Sequence, residues 1–339
     1  NDALLPNGET IDTVTLVSGG GVDSSTDADT GTYSNDLSIT PTSTATSTLT
    51  GTNGFDQENY LFSYNTGDLV INQRAITLTA SQQEKIYGNV LNLDDTAFTT
   101  LDKDGDSALP NGEVVTNVTI GSATGVDAST SSDVTTYTDE INIESPVVGT
   151  AGTGDGFLES NYDITYVSGD LKVNPRPITV TPTQQEKIYG NTLTLDQTAF
   201  TVTDLDNDAL LPNGESIDTV SVISRGAHDA STTSSAVTYA DDLEATSVAT
   251  SSAGFDLNNY TIDFSNLSDL VINRRAVTLT ALQQEKDYGD VHTLDTTTFS
   301  VTDLDNDALL PNGETIDTVT LVSADGIDAS TDANAVLYA

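Results

Sequence analysis

The chain has 339 residues, 52 of them acidic against 10 basic, for a net charge of −42, and it contains no Cys, Met or Trp. Acid spread along the whole chain repels nucleic acid and anionic membrane surfaces and favours divalent cations as partners. The lack of Cys excludes disulfides, thiolate metal sites and thiol catalysis, and no apolar run approaches the ~18 residues of a spanning helix, so no membrane insertion is expected.

Repetition sets the organisation before any local reading does. QQEKxYG starts at Gln82, Gln184 and Gln283, intervals of 102 and 99 residues, and Asn-Tyr recurs at Asn59, Asn161 and Asn259. Residues 1–73 are expected to be the later part of one repeat. They run through TIDTVTLVS, a turn ending GVDSST, a strand near TGTYSNDLSI, and ENYLFSYNTGDLVIN. Residues 74–174 and 175–273 are complete repeats, and 274–339 is the opening part of another. The chain is thus expected to be a piece of a longer protein. Despite the charge it should fold, because ITLTA, VTNVTIG, YDITYVSGDLKVN and VTLTA alternate with period two and are rich in β-branched residues, as strands are. The only helical expectation is a turn or two at LDQTAF and LDTTTF. The reading is mostly β, with small tandem β-sheet domains in an extended rod.

Within each repeat lies a twelve-residue acidic stretch: Asp102 to Glu113, Asp204 to Glu215 and Asp303 to Glu314, with a shortened copy at Asn1 to Glu9. Carboxylates fall at positions 1, 3, 5 and 12, the ligand spacing of an EF-hand calcium loop. The spacing makes Asp102, Asp104, Asp106 and Glu113 the Ca²⁺ ligands of one site, Asp204, Asp206, Asp208 and Glu215 those of the next, and Asp303, Asp305, Asp307 and Glu314 those of the last. The backbone carbonyls of Ala108, Leu210 and Leu309 are the position-7 ligands. Position 6 is Ser or Ala instead of the EF-hand Gly, position 9 is Pro, and the flanks alternate like strands. The expectation is therefore an EF-like loop between strands. The competing reading is an acidic turn that only reverses the chain; several unscreened carboxylates in one loop repel unless a cation sits among them, which favours calcium.

Connections such as LVINQRAITLTA and LVINRRAVTLTA pass from one repeat to the next with about two residues between strands, too short and too poor in Gly and Ser to act as a flexible tether. Arg74, Arg176 and Arg275 stand at every junction, either clamping acidic groups of the adjoining domains or lying alone on the surface.

The order ITVTPTQQEKIYGN, LLPNGESIDTVSV, SAVTYADDL, NNYTIDFSNLSDLVIN resembles the MBG (mostly beta grasp) or YDG repeats found in tandem in large bacterial surface adhesins. The resemblance covers the whole chain in repeated register. It implies a β-grasp-like sheet, an extracellular or cell-surface place, and a spacer or adhesive role, with neighbouring repeats and other copies in a filament as partners. It doesn't extend to the acidic insertion, so calcium rests on spacing alone.

Other chemistry is poorly supported. His228 and His292 occupy non-equivalent places and read as surface residues. Identical carboxylate sets in every repeat suit structure better than a unique active site, so no enzyme activity is expected. Lys85, Lys187 and Lys286 each follow a Glu and read as surface Glu-Lys pairs; Asp23, Asp127, Asp229 and Asp328 of the GVDAST-type motif read as turn caps. The functional expectation is a structural extender or filament-forming region rigidified by calcium. The alternative is an adhesive module binding a glycan or surface.

Overall fold

Alternation of β-branched residues becomes strand where one face can be buried. Arg74–Ala80 buries Ile76, Leu78 and Ala80, and Arg176–Pro182 buries Ile178 and Val180 in the same rhythm. The computed structural model describes residues 5–39, 50–150, 157–206, 210–305 and 309–332. It divides into two units, Asn1–Asn174 and Pro175–Ala339.

In the first unit, residues 74–174 form two sheets. Arg74–Ala80 lies between Phe98–Asp102, antiparallel, and Tyr162–Val167, parallel, with Tyr162 opposite Arg74 and Ile76 opposite Asp102. The other sheet has the order Gln83–Ile86, Gly169–Asn174, Thr136–Thr150, Val114–Ser122, its first pair parallel and the rest antiparallel. Ile76 and Leu78 from one sheet and Val118, Ile141, Leu171 and Val173 from the other are at most 2% exposed. Burying each such side chain is worth about 1.5–3 kcal/mol.

In the second unit, residues 175–273 repeat this topology: Phe200–Asp204, Arg176–Pro182, Tyr260–Asp263 in one sheet, and Gln185–Ile188, Leu267–Asn273, Thr238–Ser251, Ile217–Ser224 in the other. The chain is mostly β, as the alternation predicts.

The flanking segments are less complete. Val277–Ala281 pairs among the described residues only with Phe299–Asp303, and all five of its residues are exposed. Near the start, Gly31–Ile39 lies between Leu16–Ser18 and Gly67–Ile71. Residues 61–64, equivalent to the strand after Asn-Tyr elsewhere, are not strand. In the complete repeats that strand is held by the opening strand of its own repeat.

The helix expected at LDQTAF does not form. The Asp196 carboxylate accepts hydrogen bonds from the Thr198 amide (2.8 Å) and hydroxyl (2.7 Å), and the Gln185 side chain pairs with the Asp196 backbone (2.8 and 3.1 Å). Asp94 with Gln83 and Asp295 with Gln284 do the same. Such local side-chain bonds compete with helix. The helical segments among the described residues are three-residue 3-10 turns, at Pro-Asn-Gly and just before or at Asn-Tyr.

Candidate functional site

The acidic loop begins where a strand ends. Asp102, Asp204 and Asp303 close their strands and are buried. Asp102 Oδ1 accepts the amides of Asp104 (2.8 Å) and Asp106 (3.0 Å), and the Asp106 carbonyl accepts the Asp102 amide (2.8 Å). The register that sets Ile76 opposite Asp102 brings Arg74 to the loop. Arg74 Nε donates to Asp102 Oδ2 (3.2 Å), and Nη2 donates to the same oxygen and to Asp104 Oδ2 (2.8 Å). Arg176 reaches Asp204 through Nε (3.0 Å) and Nη2 (2.5 Å), and Asp206 through Nη2 (2.7 Å). Arg275 reaches Asp303 through Nε (2.8 Å) and Nη2 (2.7 Å), and also bonds Asp305. Each junction arginine clamps carboxylates of its own repeat. Arg74, with the amides of Asp106 and Asp104 adding to it, holds the Asp102 carboxyl down at about 2.

Asp104, Asp106, Ala108, Asp206 and Asp305 are exposed, and so are the side chains of Leu210 and Leu309; Leu109 and Leu211, next along, are buried. Asp208 and Asp307 lie outside the described residues. Glu113 accepts the Tyr162 hydroxyl (2.7 Å) and Glu215 that of Tyr260 (2.5 Å), each tyrosine stacked on a phenylalanine, Phe157 or Phe255. Burial first, and then the bond to Glu113, raises the Tyr162 hydroxyl well above its usual range. Glu314 accepts instead from Tyr189 of the preceding repeat (2.5 Å). Among the described residues, no group of three or more His, Asp or Glu side chains is assembled as a metal cluster.

The residues that recur in sequence meet where repeats meet. In the first unit Asn111 Nδ2 donates to the Thr26 carbonyl (2.8 Å); in the second Asn312 Nδ2 donates to the equivalent Thr232 carbonyl (2.9 Å). Both asparagines are the middle residue of Pro-Asn-Gly and adopt left-handed backbone, φ 59° and 61°, which Asn tolerates better than most residues. In the first unit Asn161 also accepts the Thr30 amide (2.9 Å) and donates to Asp29 (2.9 Å), and Gln73 Nε2 donates to the Ser160 carbonyl (3.0 Å). In the second, Arg275 Nη1 donates to Asn191 (3.0 Å), and a Cβ at Gly190 would lie 2.5 Å from Pro311.

The lysines differ from their sequence reading. Lys85 and Lys187 are buried, not surface partners of the adjacent Glu. Lys85 Nζ donates to the carbonyls of Val126 and Ser129, Lys187 to those of His228, Asp229 (3.2 Å) and Ser231 (2.5 Å), and Lys286 to those of Ile327, Asp328 (3.5 Å) and Ser330 (2.5 Å). Burial lowers the pKa of Lys85 and Lys187, opposed by Asp127 and Asp229. The sequence signal was the fixed spacing of 41 residues from each lysine to the GVDAST-type loop. The motif aspartates also bridge through their backbone: the carbonyls of Asp127, Asp229 and Asp328 accept the amides of Leu91, Leu193 and His292. Neither histidine is a plain surface residue. His228 stacks on Tyr239 (3.7 Å between centroids), and the His292 ring bonds Gln284 (3.0 Å).

No family model matches the chain, and neither does any curated protein or solved structure.

Proposed function

We propose that the chain is a structural extender: a run of β repeats, docked on one another within each unit, that holds whatever it carries at a distance from a surface. One observation carries the reading. The junction inside each unit uses the same bond, Asn of Pro-Asn-Gly to Thr of the loop before it, at 2.8 and 2.9 Å. A residue set repeated for a ligand would face solvent, whereas this one faces the neighbouring repeat. The short inter-strand connections support restricted bending, and like charge along the chain opposes its collapse. An extracellular place in a surface protein similar to MBG or YDG repeat adhesins fits this reading. Small-angle scattering of the whole chain tests it: an elongated particle is expected, with two complete and two partial repeats in line, and a compact or broadly flexible particle overturns it.

Calcium enters the proposal as a second cation. Arg176 offsets one charge of a loop that holds Asp204, Asp206, Asp208 and Glu215, leaving a net −3. That residue of charge favours a divalent ion. Calorimetric titration of chelator-stripped protein with Ca²⁺ is the direct test, and absence of binding heat with no change in melting temperature removes calcium from the reading.

A further inference from the structure

In the third repeat, the loop that receives the fourth is pinned from two sides by buried charges, Lys187 and Asp242. Asp242 accepts the Ser224 hydroxyl (2.5 Å) and the Gly226 amide (2.8 Å), and Ser224 Oγ accepts the His228 amide (2.9 Å). The His228 carbonyl then accepts from Lys187, which also holds the Ser231 carbonyl at 2.5 Å. The next carbonyl along, that of Thr232, is the one that receives Asn312. The Gly226 amide is thus held by a carboxylate, the His228 amide by the serine which that carboxylate anchors, and the His228 and Ser231 carbonyls by an ammonium.

Parts of the arrangement recur around each loop. Glu140, almost fully buried, accepts the Ser122 hydroxyl and the Thr124 amide, while Lys85 holds Val126 and Ser129. Asp36 accepts the Ser18 hydroxyl (2.5 Å) and the Gly20 amide (2.9 Å) in the loop whose Thr26 carbonyl receives Asn111. Ser323 Oγ accepts the Ile327 amide (3.0 Å), and Lys286 holds the Ile327 and Ser330 carbonyls. Burying a charge is a poor way to gain stability, since an apolar group of similar volume often serves as well. What a buried ammonium imposes is position, because its three N–H groups leave no choice about where the acceptors stand.

We propose that Lys187 and Asp242 fix the docking of the fourth repeat on the third by presenting the Thr232 carbonyl. The inference rests on the extender reading. Because the chain has no Cys, nitroxide labels can be placed cleanly at Thr201→Cys and Thr318→Cys, two exposed positions on either side of the junction, and their distance distribution measured by pulsed dipolar spectroscopy on the full chain. The unsubstituted chain should give a narrow distribution, and Lys187→Met should widen it about twofold or more. Asn312→Ala should widen it to the same extent, and the double variant no further than either alone. Should Lys187→Met abolish cooperative melting, Ser224→Ala, which breaks only the relay from Asp242 to His228, must widen the distribution instead. A narrow distribution that survives whichever of these folds, or additive widening in the double variant, overturns this inference alone. A wide distribution in the unsubstituted chain overturns the extender reading and this inference with it.

Discussion

The guanidinium of Arg176 and the carboxylate of Asp204, 28 residues apart, meet through two donors at 3.0 and 2.5 Å, with side chains only 6% and 2% exposed. Removing one partner of such a pair strands the other charge, which costs far more than the pair itself contributes. Asp204→Ala should therefore destabilise its repeat by about 3 kcal/mol. Asp206→Ala, whose carboxylate is largely exposed, should cost well under half of that. Chemical denaturation of both variants checks the ranking, and equal effects would show that the clamp does not act through Asp204.

The same clamp sets an acid limit. The Asp102 carboxyl is depressed from its ordinary 3.8 to about 2 in the folded chain. A depressed carboxylate contributes stability that is fully present above the unfolded value and is lost as pH falls through the folded one. Its share of the melting temperature should be constant above about pH 5 and decline between roughly pH 4 and 2. Asp102→Asn should flatten that part of the profile while lowering the plateau.

Calcium binding, where it occurs, should raise the melting temperature, because an ion that binds the folded loop and not the unfolded chain stabilises by about 2.7 kcal/mol per site at a hundredfold excess over its dissociation constant. Asp206→Ala should remove the response of the third repeat and leave that of the loop from Asp102 to Glu113. Calorimetry with and without chelator measures it, and no response in either loop would leave the arginine as the loop's sole cation.

Two glycines separate strain from docking. Gly190 has φ +89° and no room for a Cβ against Pro311, whereas Gly289, at φ +94°, has nothing within 4 Å of the same atom. Gly289→Ala should cost only the left-handed backbone penalty, about 1–2 kcal/mol. Gly190→Ala should cost that and also open the junction, seen as faster proteolysis near Asn273. Equal protease sensitivity in the two variants would count against the Pro311 contact.

The edge of Val277–Ala281 that no described residue pairs has a defined complement. In both complete repeats the opening strand takes the Asn-Tyr strand in parallel, Arg74 to Tyr162 and Arg176 to Tyr260. A synthetic peptide with the sequence of residues 258–266 should bind the chain and protect the amides of Val277–Ala281 from exchange, as an added strand does at an open edge. A scrambled peptide binding equally well would refute the register.

Much of this architecture is legible in the sequence, because strands declare themselves locally: ITVTP and DLKVN alternate every second residue, and alternation needs no distant information to be read. The mostly β character follows from that alone, and the hundred-residue period from the recurrence of QQEKxYG and Asn-Tyr. The acidic loop was also visible as a place where charge needs compensation. What supplies it was not, because Arg176 reaches Asp204 only after Arg176–Pro182 pairs with Phe200–Asp204 in the register that sets Ile178 opposite Asp204. The fate of position 12 was hidden for the same reason, since Glu113 finds Tyr162 49 residues on. The lysines show the limit most clearly: a residue flanked by Gln, Glu and Ile looks like surface in any local reading, and only the folding of a loop 41 residues later surrounds it with carbonyls. Sequence fixes which residues want burial or a partner; the pairing of distant strands decides which partner each one meets.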